Sequence, residues 1–141
     1  MPGIRALQLV SAGIIYRAGR ALIGQRRKTD KHALKWEFPG GKVESGESPQ
    51  EALVRELREE LLIDATIGAQ LAHYEHNYAR GSGVHLMFFA VSNFIGQPTN
   101  RVYKQICWTP LRDLTARDFL EGDLDFVRRL ARGDFEQQLE S

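Results

Sequence analysis

Three glutamates crowd one short stretch of the chain, ELREEL, in which Glu56, Glu59 and Glu60 are interleaved with Arg55 and Arg58. Carboxylates three and four residues apart are neighbours on a helix surface, where like charges cost roughly 0.2–0.5 kcal/mol per pair. One explanation is a solvated helix face, on which charged side chains are ordinary. The other is a bound cation, because Mg²⁺ takes oxygen ligands and leaves positions for water and substrate phosphate.

A start signal predicts the helix that would carry these carboxylates. Ser48, followed by Pro49 and by Glu51 three positions on, has the pattern of a capping box with proline at the first helical position. Winding the following residues at about 100° each places the three carboxylates beside an apolar stripe, with Glu60 nearest to its edge. The stripe, which we expect to pack on a sheet, consists of Leu53, Val54, Leu57 and Leu61.

A backbone bend precedes this helix. The segment WEFPGG brings an aromatic-rich strand end to a Pro-Gly-Gly break at residues 39–41. Glycines leave backbone carbonyls and amides accessible, and carboxylates that face such a bend offer the hard oxygen ligands of a divalent cation. The bend therefore favours a cation site over a solvated face.

The remaining elements are predicted from composition and periodicity. Residues 28–35 are polar and predict a loop, ARGSG predicts a flexible connection, and apolar residues at Leu124, Val127 and Leu130 or Ala131 have helical spacing. Strand composition marks residues 7–16, 21–27, 65–79, 84–94 and 103–110, the first two as a hairpin. Strands, one long helix, more strands and a terminal helix predict an α+β domain with a mixed sheet in α/β/α layers.

Composition limits the class of protein. The 141 residues are 43% hydrophobic and 26% charged, which predicts a single domain over residues 1–141. A net charge of +1 gives no bulk field for a nucleic acid polymer or an anionic membrane. The lone Cys107 excludes an intramolecular disulfide, and neither a secretory signal nor a membrane-spanning run is apparent, so we expect a cytoplasmic protein. Monomer and homodimer both stay open.

The stretch from Gly41 to Ile63 resembles the signature of the Nudix hydrolases, G-x5-E-x7-R-E-U-x-E-E-x-G-U, in which U is apolar. Its fixed polar and glycine positions would coincide by chance about once in 10⁵ chains of this length. The segments WEFPGGK and ATIGAQL are also similar to the branch that contains MutT-type enzymes and CTP pyrophosphohydrolases. The positions in register are Gly41, Glu47, Arg55, Glu56, Leu57, Glu59, Glu60 and Ile63.

This resemblance implies an α/β/α sandwich and a site for Mg²⁺ or Mn²⁺. Arg55 would orient the cluster by pairing with Glu47 or Glu56, a task that suits a bidentate guanidinium. Glu56 is the predicted base or water-orienting group, and Glu59 and Arg55 complete the predicted catalytic set. The implied metal ligands are the carboxylates of Glu56, Glu59 and Glu60 and the backbone carbonyl of Gly41.

Two positions depart from the family pattern. Leu62 stands where the signature has a helix-ending glycine, so we expect the helix to end differently and to continue to Ile63 or Asp64. MutT-like relatives carry a further metal-binding glutamate near the position of Val102, yet no acid occurs between residues 96 and 109. Glu75 or another loop acid would have to substitute. These departures keep open a nucleotide-binding module without turnover.

The predicted substrate is a nucleotide, cleaved to a nucleoside monophosphate and pyrophosphate. Arg26 and Lys42, with Gly40 at the bend, are predicted to hold its phosphates. Phe38 would stack on the base or belong to the core. Asp123 would read the base edge, favouring an amino group as on cytosine, or cap the terminal helix. Modified or cytidine triphosphates are favoured, with other nucleoside diphosphate derivatives as the alternative.

Overall fold

The computed structural model describes residues 7–77 and 83–141. The strands are β1 (Gln8–Arg17), β2 (Arg20–Gln25), β3 (Trp36–Glu37), β4 (Gly40–Lys42), β5 (Asp64–Thr66), β6 (Gln70–Asn77), β7 (Gly83–Val91), β8 (Asn93–Ile95) and β9 (Gln105–Pro110). The helices are α1 (Pro49–Leu61), α2 (Leu124–Ala131) and α3 (Glu136–Glu140), with 3₁₀ segments at Leu111–Ala116 and Glu121–Asp123. The predicted ARGSG connection lies, apart from Gly83, outside the described residues.

The central sheet is mixed, as predicted. Its order is β3-β2-β1-β7-β6, with β4 paired to β1 and β9 paired to β2. Strands β1 and β7 run parallel, whereas β2 and β4 are antiparallel to β1. The predicted β1–β2 hairpin turns through Ala18 and Gly19, whose φ angles of 51° and 79° fit a two-residue hairpin turn.

Helices cover both faces of the sheet, which confirms the α/β/α layers. On one face, α1 buries Leu53, Leu57 and Leu61 completely. Val54, predicted in the same stripe, is only half-buried, and Ala52 is buried instead. On the other face, α2 and α3 pack on a cluster of aromatic side chains. Its rings are those of Phe38, Phe88, Phe119, Phe126 and Phe135.

Helix α1 begins and ends at defined residues. The Ser48 hydroxyl accepts from the Glu51 amide at 3.1 Å, and the Glu51 carboxylate accepts from the Ser48 amide at 2.8 Å, so the capping box is confirmed. The expected continuation past Leu62 is wrong, because Leu62 takes the left-handed conformation with φ 57° and ψ 34°. This turn buries Ile63 fully and leaves Leu62 47% exposed, so core packing sets the end of the helix.

Two long predicted strands are each divided. Residues 65–79 separate into β5 and β6, and residues 84–94 separate into β7 and β8. Strands β5 and β8 pair with each other in a small second sheet beside α1. Within residues 7–77 and 83–141, no helix has the length and apolar character needed to span a membrane.

Candidate active site

The Pro-Gly-Gly bend packs directly against α1, and both of its glycines are required by close contacts. Gly40 has φ 153°, and a Cβ there would lie 2.0 Å from the carbonyl oxygen of Ser11. A Cβ on Gly41 would lie 2.5 Å from the carboxyl carbon of Glu56. Glycine at these positions therefore lets the backbone of β4 approach the acidic side of α1, which carries Glu56, Glu59 and Glu60.

The register of β4 directs the carbonyl of Gly41, a predicted metal ligand, toward β1 rather than toward α1. Ser11 pairs with Gly41, and the pairs two residues away on each side are hydrogen-bonded, through Val43 N to Leu9 O at 2.9 Å and Gly13 N to Pro39 O at 2.8 Å. Because hydrogen-bonded and non-hydrogen-bonded pairs alternate along an antiparallel ladder, Ser11 and Gly41 form a hydrogen-bonded pair, and the Gly41 carbonyl points toward β1. The backbone polar groups of the preceding residue, Gly40, point to the opposite edge, toward α1.

Arg55 lies at the centre of the acidic side of α1. Its Nε and Nη2 donate to the two carboxylate oxygens of Glu47 at 2.7 and 3.0 Å, while Nη1 donates to Oε1 of Glu56 at 2.9 Å. Nη2 also donates to the carbonyl of Lys42 at 3.1 Å, and Glu59 lies 3.6 Å from Nη1. The bidentate contact lowers the pKa of Glu47 to about 2. The predicted pairing of Arg55 is confirmed with both partners.

The other catalytic candidates differ in exposure. The side chain of Glu56 is 18% exposed, and burial raises its pKa against the opposing effect of the Arg55 guanidinium. Glu59, one turn further along α1, is 60% exposed and free to change rotamer without disturbing the core. These two carboxylates thus combine a fixed group with an adjustable one.

Glu60 is the most enclosed carboxylate of the cluster. Its Oε1 accepts from the amide of Gly40 at 3.1 Å. Burial raises the pKa of Glu60 to about 8, and like charges add to the effect despite that hydrogen bond. The carboxylates responsible are Glu56, Glu37 and Glu59. Positive charge placed among these oxygens would relieve their repulsion.

Sequence reasoning missed Glu37, which lies between two parts of the site. Its carboxylate is 15% exposed and accepts from Arg26 Nη1 at 2.9 Å and from the hydroxyl of Tyr103 at 3.1 Å. The negative charge of Glu37 raises the pKa of both Glu60 and Asp123. Glu37 therefore connects the acidic side of α1 with the predicted base-reading residue.

A sequence signal for Glu37 exists, since it is the polar residue between two buried aromatic residues in WEFPGG. Alternate strand residues face opposite sides of a sheet, which separates Glu37 from Trp36 and Phe38. The loop that lacks an acid at Val102 contributes Tyr103 instead. Gly24 makes room for that tyrosine, because a Cβ at Gly24 would lie 2.6 Å from its ring.

The clustered carboxylates resemble the ligands of a divalent cation in chemistry but are not arranged around one point. Within residues 7–77 and 83–141, no three ligating side chains converge closely enough to hold a metal ion in their present rotamers. The crowded groups are nevertheless hard oxygen donors, and Glu60 is enclosed with one backbone amide beside it and several like charges around it. Because Glu59 is exposed and can rotate, the residues fit such an ion in chemistry and charge.

The predicted substrate residues lie in different environments. Arg26 is 26% exposed, and its guanidinium also donates to the carbonyl of Lys31 at 2.7 Å, so the side chain is fixed beside β3. Lys42 is exposed next to the bend. Of the two alternatives for Phe38, the core position is confirmed and stacking on the base is wrong. The side chain is 3% exposed and packs on Phe119 with ring centroids 5.1 Å apart.

Asp123 is buried at the start of α2. The alternative prediction that it caps this helix is wrong, because its side chain makes no capping hydrogen bond. Burial raises the pKa of Asp123 to about 8, and the charge of Glu37 contributes. Adjacent Gly122 lies close to the ring of His76, since a Cβ there would be 3.4 Å from it. Asp123 therefore presents a carboxyl group that is largely protonated at neutral pH.

Comparison with known proteins agrees with this fold. The NUDIX domain family model matches residues 7–130. The CTP pyrophosphohydrolase of Escherichia coli is 42% identical over 99 residues, covering 70% of this chain and 73% of the relative. A putative 8-oxo-dGTP diphosphatase 2 of Mycobacterium tuberculosis is 34% identical over 128 residues, covering 89% of each protein. The solution structure of the E. coli ORF135 protein superposes with a TM-score of 0.82 at 34% identity, covering 92% of this chain and 91% of that one.

The chain belongs to the NUDIX domain family, and its relatives are named as hydrolases of acid anhydrides that act on nucleotides. Nudix hydrolases generally use divalent metal ions. That requirement accords with the carboxylates gathered on α1.

Proposed function

We propose that the protein is a Mg²⁺-dependent pyrophosphohydrolase that cleaves a nucleoside triphosphate to the monophosphate and pyrophosphate. The observation that carries this proposal is the acidic side of α1, where Arg55 holds Glu47 and Glu56 beside the enclosed Glu60. The burial of these carboxylates and the repulsion between them do not stabilise the fold. A ligand that brings positive charge accounts for both, and Mn²⁺ is the alternative to Mg²⁺.

The residues of this site have separate tasks in the proposed reaction. Arg55 engages one oxygen of Glu56 at 2.9 Å, which orients the other oxygen to accept a proton from the attacking water. Glu56, Glu59 and Glu60 would hold the ion, with the backbone of Gly40 in place of Gly41 in the ligand set. When bound, the ion would neutralise charge on the diphosphate and activate water.

Base selection is assigned to Asp123. A protonated carboxyl group offers one donor and one acceptor side by side, a pattern that matches the ring nitrogen and the amino group of cytosine. Its raised pKa supports the neutral form. We infer a preference for cytidine or for oxidised nucleotides, in line with the names of the two relatives. Arg26 and Lys42 are the proposed phosphate contacts.

Pyrophosphate release across a panel tests this function. The panel contains ordinary and oxidised (d)NTPs, a dinucleotide polyphosphate and a nucleotide sugar, each with Mg²⁺ or Mn²⁺. We expect turnover of a triphosphate and a loss on the order of 10²-fold or more in Glu59→Gln, because a charged ligand at the reacting diphosphate is removed. Glu136→Gln, which changes an exposed glutamate on α3, is the matched control.

A second candidate is a nucleotide-binding module without turnover, which Leu62 and the absence of an acid at Val102 favour. The same panel separates the two. Measurable nucleotide binding without release of phosphate or pyrophosphate from any compound would replace the enzyme by the binding module. Cleavage confined to the dinucleotide polyphosphate or the nucleotide sugar would keep the hydrolase and change its substrate.

A further inference from the structure

Two histidines meet on the sheet, away from the glutamate cluster. His73 on β6 and His85 on β7 have their Nδ1 and Nε2 atoms 3.2 Å apart, with ring centroids separated by 5.2 Å and planes inclined by 53°. His73 is exposed and His85 is half-buried. Both belong to the face that α1 covers further along, because Met87, two residues beyond His85, packs in the α1 layer.

The strand register fixes this pair and adds a carboxylate. Glu75 is directly opposite His85, and Met87 is directly opposite His73. His73 and His85 are therefore diagonal neighbours, and Glu75 shares their face because it lies two residues from His73 on the same strand. Two imidazoles and one exposed carboxylate occupy a single patch of surface that the β6–β7 ladder holds in place.

The separation of the nitrogens suits chelation as well as a hydrogen bond. Zinc binds imidazole nitrogens at about 2.0–2.1 Å in tetrahedral geometry, which places two such nitrogens roughly 3.3–3.4 Å apart. The two ring nitrogens are already 3.2 Å apart. Small rotations of the rings would direct both lone pairs at one ion without any movement of the strands. No third ligating side chain converges on the pair among the described residues, so Glu75 has to rotate to complete the set.

We propose that His73 and His85 chelate a borderline transition metal ion such as Zn²⁺, with Glu75 as a third ligand. This second cation site differs in chemistry from the cluster on α1, because imidazole nitrogen favours zinc, nickel or copper, whereas the cluster offers oxygen alone. Mg²⁺ should therefore occupy the glutamates and leave the histidine pair open. The site is independent of the proposed hydrolysis, and each can fail without the other.

Titration of the full-length, metal-free protein with ZnCl2 by calorimetry tests the site, in excess Mg²⁺ to occupy the carboxylates of α1. We expect Zn²⁺ affinity to fall by about tenfold or more in His73→Gln and in His85→Gln, and by a smaller factor in Glu75→Gln. His32→Gln, which removes an exposed imidazole elsewhere, should leave the affinity unchanged. Zn²⁺ affinity that is the same in wild type and in both histidine variants would overturn the proposal.

A second measurement avoids reliance on variants that fold poorly. In the wild-type protein, substoichiometric Cu²⁺ should broaden the NMR resonances of the His73 and His85 rings before those of His32. Broadening that begins at other histidines, with these two rings unaffected, would overturn the site independently of any mutation. Unchanged melting temperatures of the metal-free variants would show that lost affinity reflects lost ligands.

Discussion

The two faces of the sheet, each covered by helices, contribute to stability in opposite directions. Under α2, Phe88 and Phe126 stack at 4.0 Å between centroids, and Phe38 approaches them edge-on in a cluster with almost no exposed surface. Beside α1, carboxylates stand close enough to raise the pKa of Glu60 to about 8. The first region lowers the free energy of the fold through packing, and the second raises it.

The aromatic cluster under α2 therefore serves stability, and the carboxylates on α1 serve chemistry. Burial of an aromatic ring is favourable through packing against neighbouring side chains alone. Burying a carboxylate among like charges is unfavourable unless a cation or a proton accompanies it. We therefore expect substitutions in the aromatic layer to lower stability, and conservative substitutions in the acidic cluster to lower activity while keeping or raising stability.

The largest expected effect belongs to the aromatic layer. Phe88→Ala removes a fully buried ring and leaves a cavity, so the free energy of unfolding should fall by about 3–5 kcal/mol. Urea denaturation measures this loss. Phe94→Ala, at a partly buried phenylalanine in β8, is the control and should cost clearly less. Equal losses at the two positions would mean that the layer under α2 is not the main core.

Sequence patterns predicted the regular elements of this architecture well. The capping box at Ser48, the hairpin around Gly19 and the mixed sheet depend on local signals that the tertiary structure does not override. The end of α1 was not predicted, because the burial of Ile63 forces Leu62 into a left-handed conformation that leucine disfavours. That outcome depends on contacts distant in sequence.

The site was predicted in part, for a similar reason. The pairing of Arg55 with Glu47 and Glu56 follows from one short segment. The role of Glu37 depends on Tyr103, which is 66 residues away, and on the place of β3 beside the cluster. The choice between Gly40 and Gly41 depends on strand register, which a glycine pair does not reveal.

A smaller effect is expected at Asp123, which links the two regions. Its pKa is raised to about 8 from 3.8, so the native state binds a proton that the unfolded chain releases, and stability should fall as pH rises from about 4 to about 8. Asp123→Asn should remove this loss and raise the melting temperature at pH 8.5 by roughly 5 °C, with little change at pH 4. Melting curves at the two pH values test this.

A second variant at the same position tests base selection. Because an alanine side chain offers the base neither a donor nor an acceptor, Asp123→Ala should change the ranking of cytosine against guanine nucleotides, whereas Asp123→Asn keeps one donor and one acceptor and should preserve it. Asp113→Asn, at an exposed aspartate, serves as the control for both assays. An unchanged ranking in Asp123→Ala, together with the expected pH effect in Asp123→Asn, would make Asp123 a buried structural carboxyl rather than a base-reading group.

The smallest effect is expected at the end of α1. Leu62→Gly should relieve the left-handed strain and raise the free energy of unfolding by roughly 0.5–1 kcal/mol, since the lost side chain is 47% exposed. Chemical denaturation measures the change. Activity should be unaffected, because Leu62 contributes no ligand. A destabilised variant would mean that packing of the Leu62 side chain outweighs the strain.

The most direct test compares stability and turnover in Glu60→Gln, measured without and then with Mg²⁺. Glutamine keeps an oxygen for the Gly40 amide and removes the enclosed charge, whose pKa of about 8 makes the native state less stable as pH rises from about 4.5 to about 8. We predict that the metal-free variant is more stable than wild type at pH 8.5 and has lost most stabilisation by Mg²⁺ and most pyrophosphate release. A variant that is less stable without metal, or that still hydrolyses nucleotides at the wild-type rate, would contradict the account.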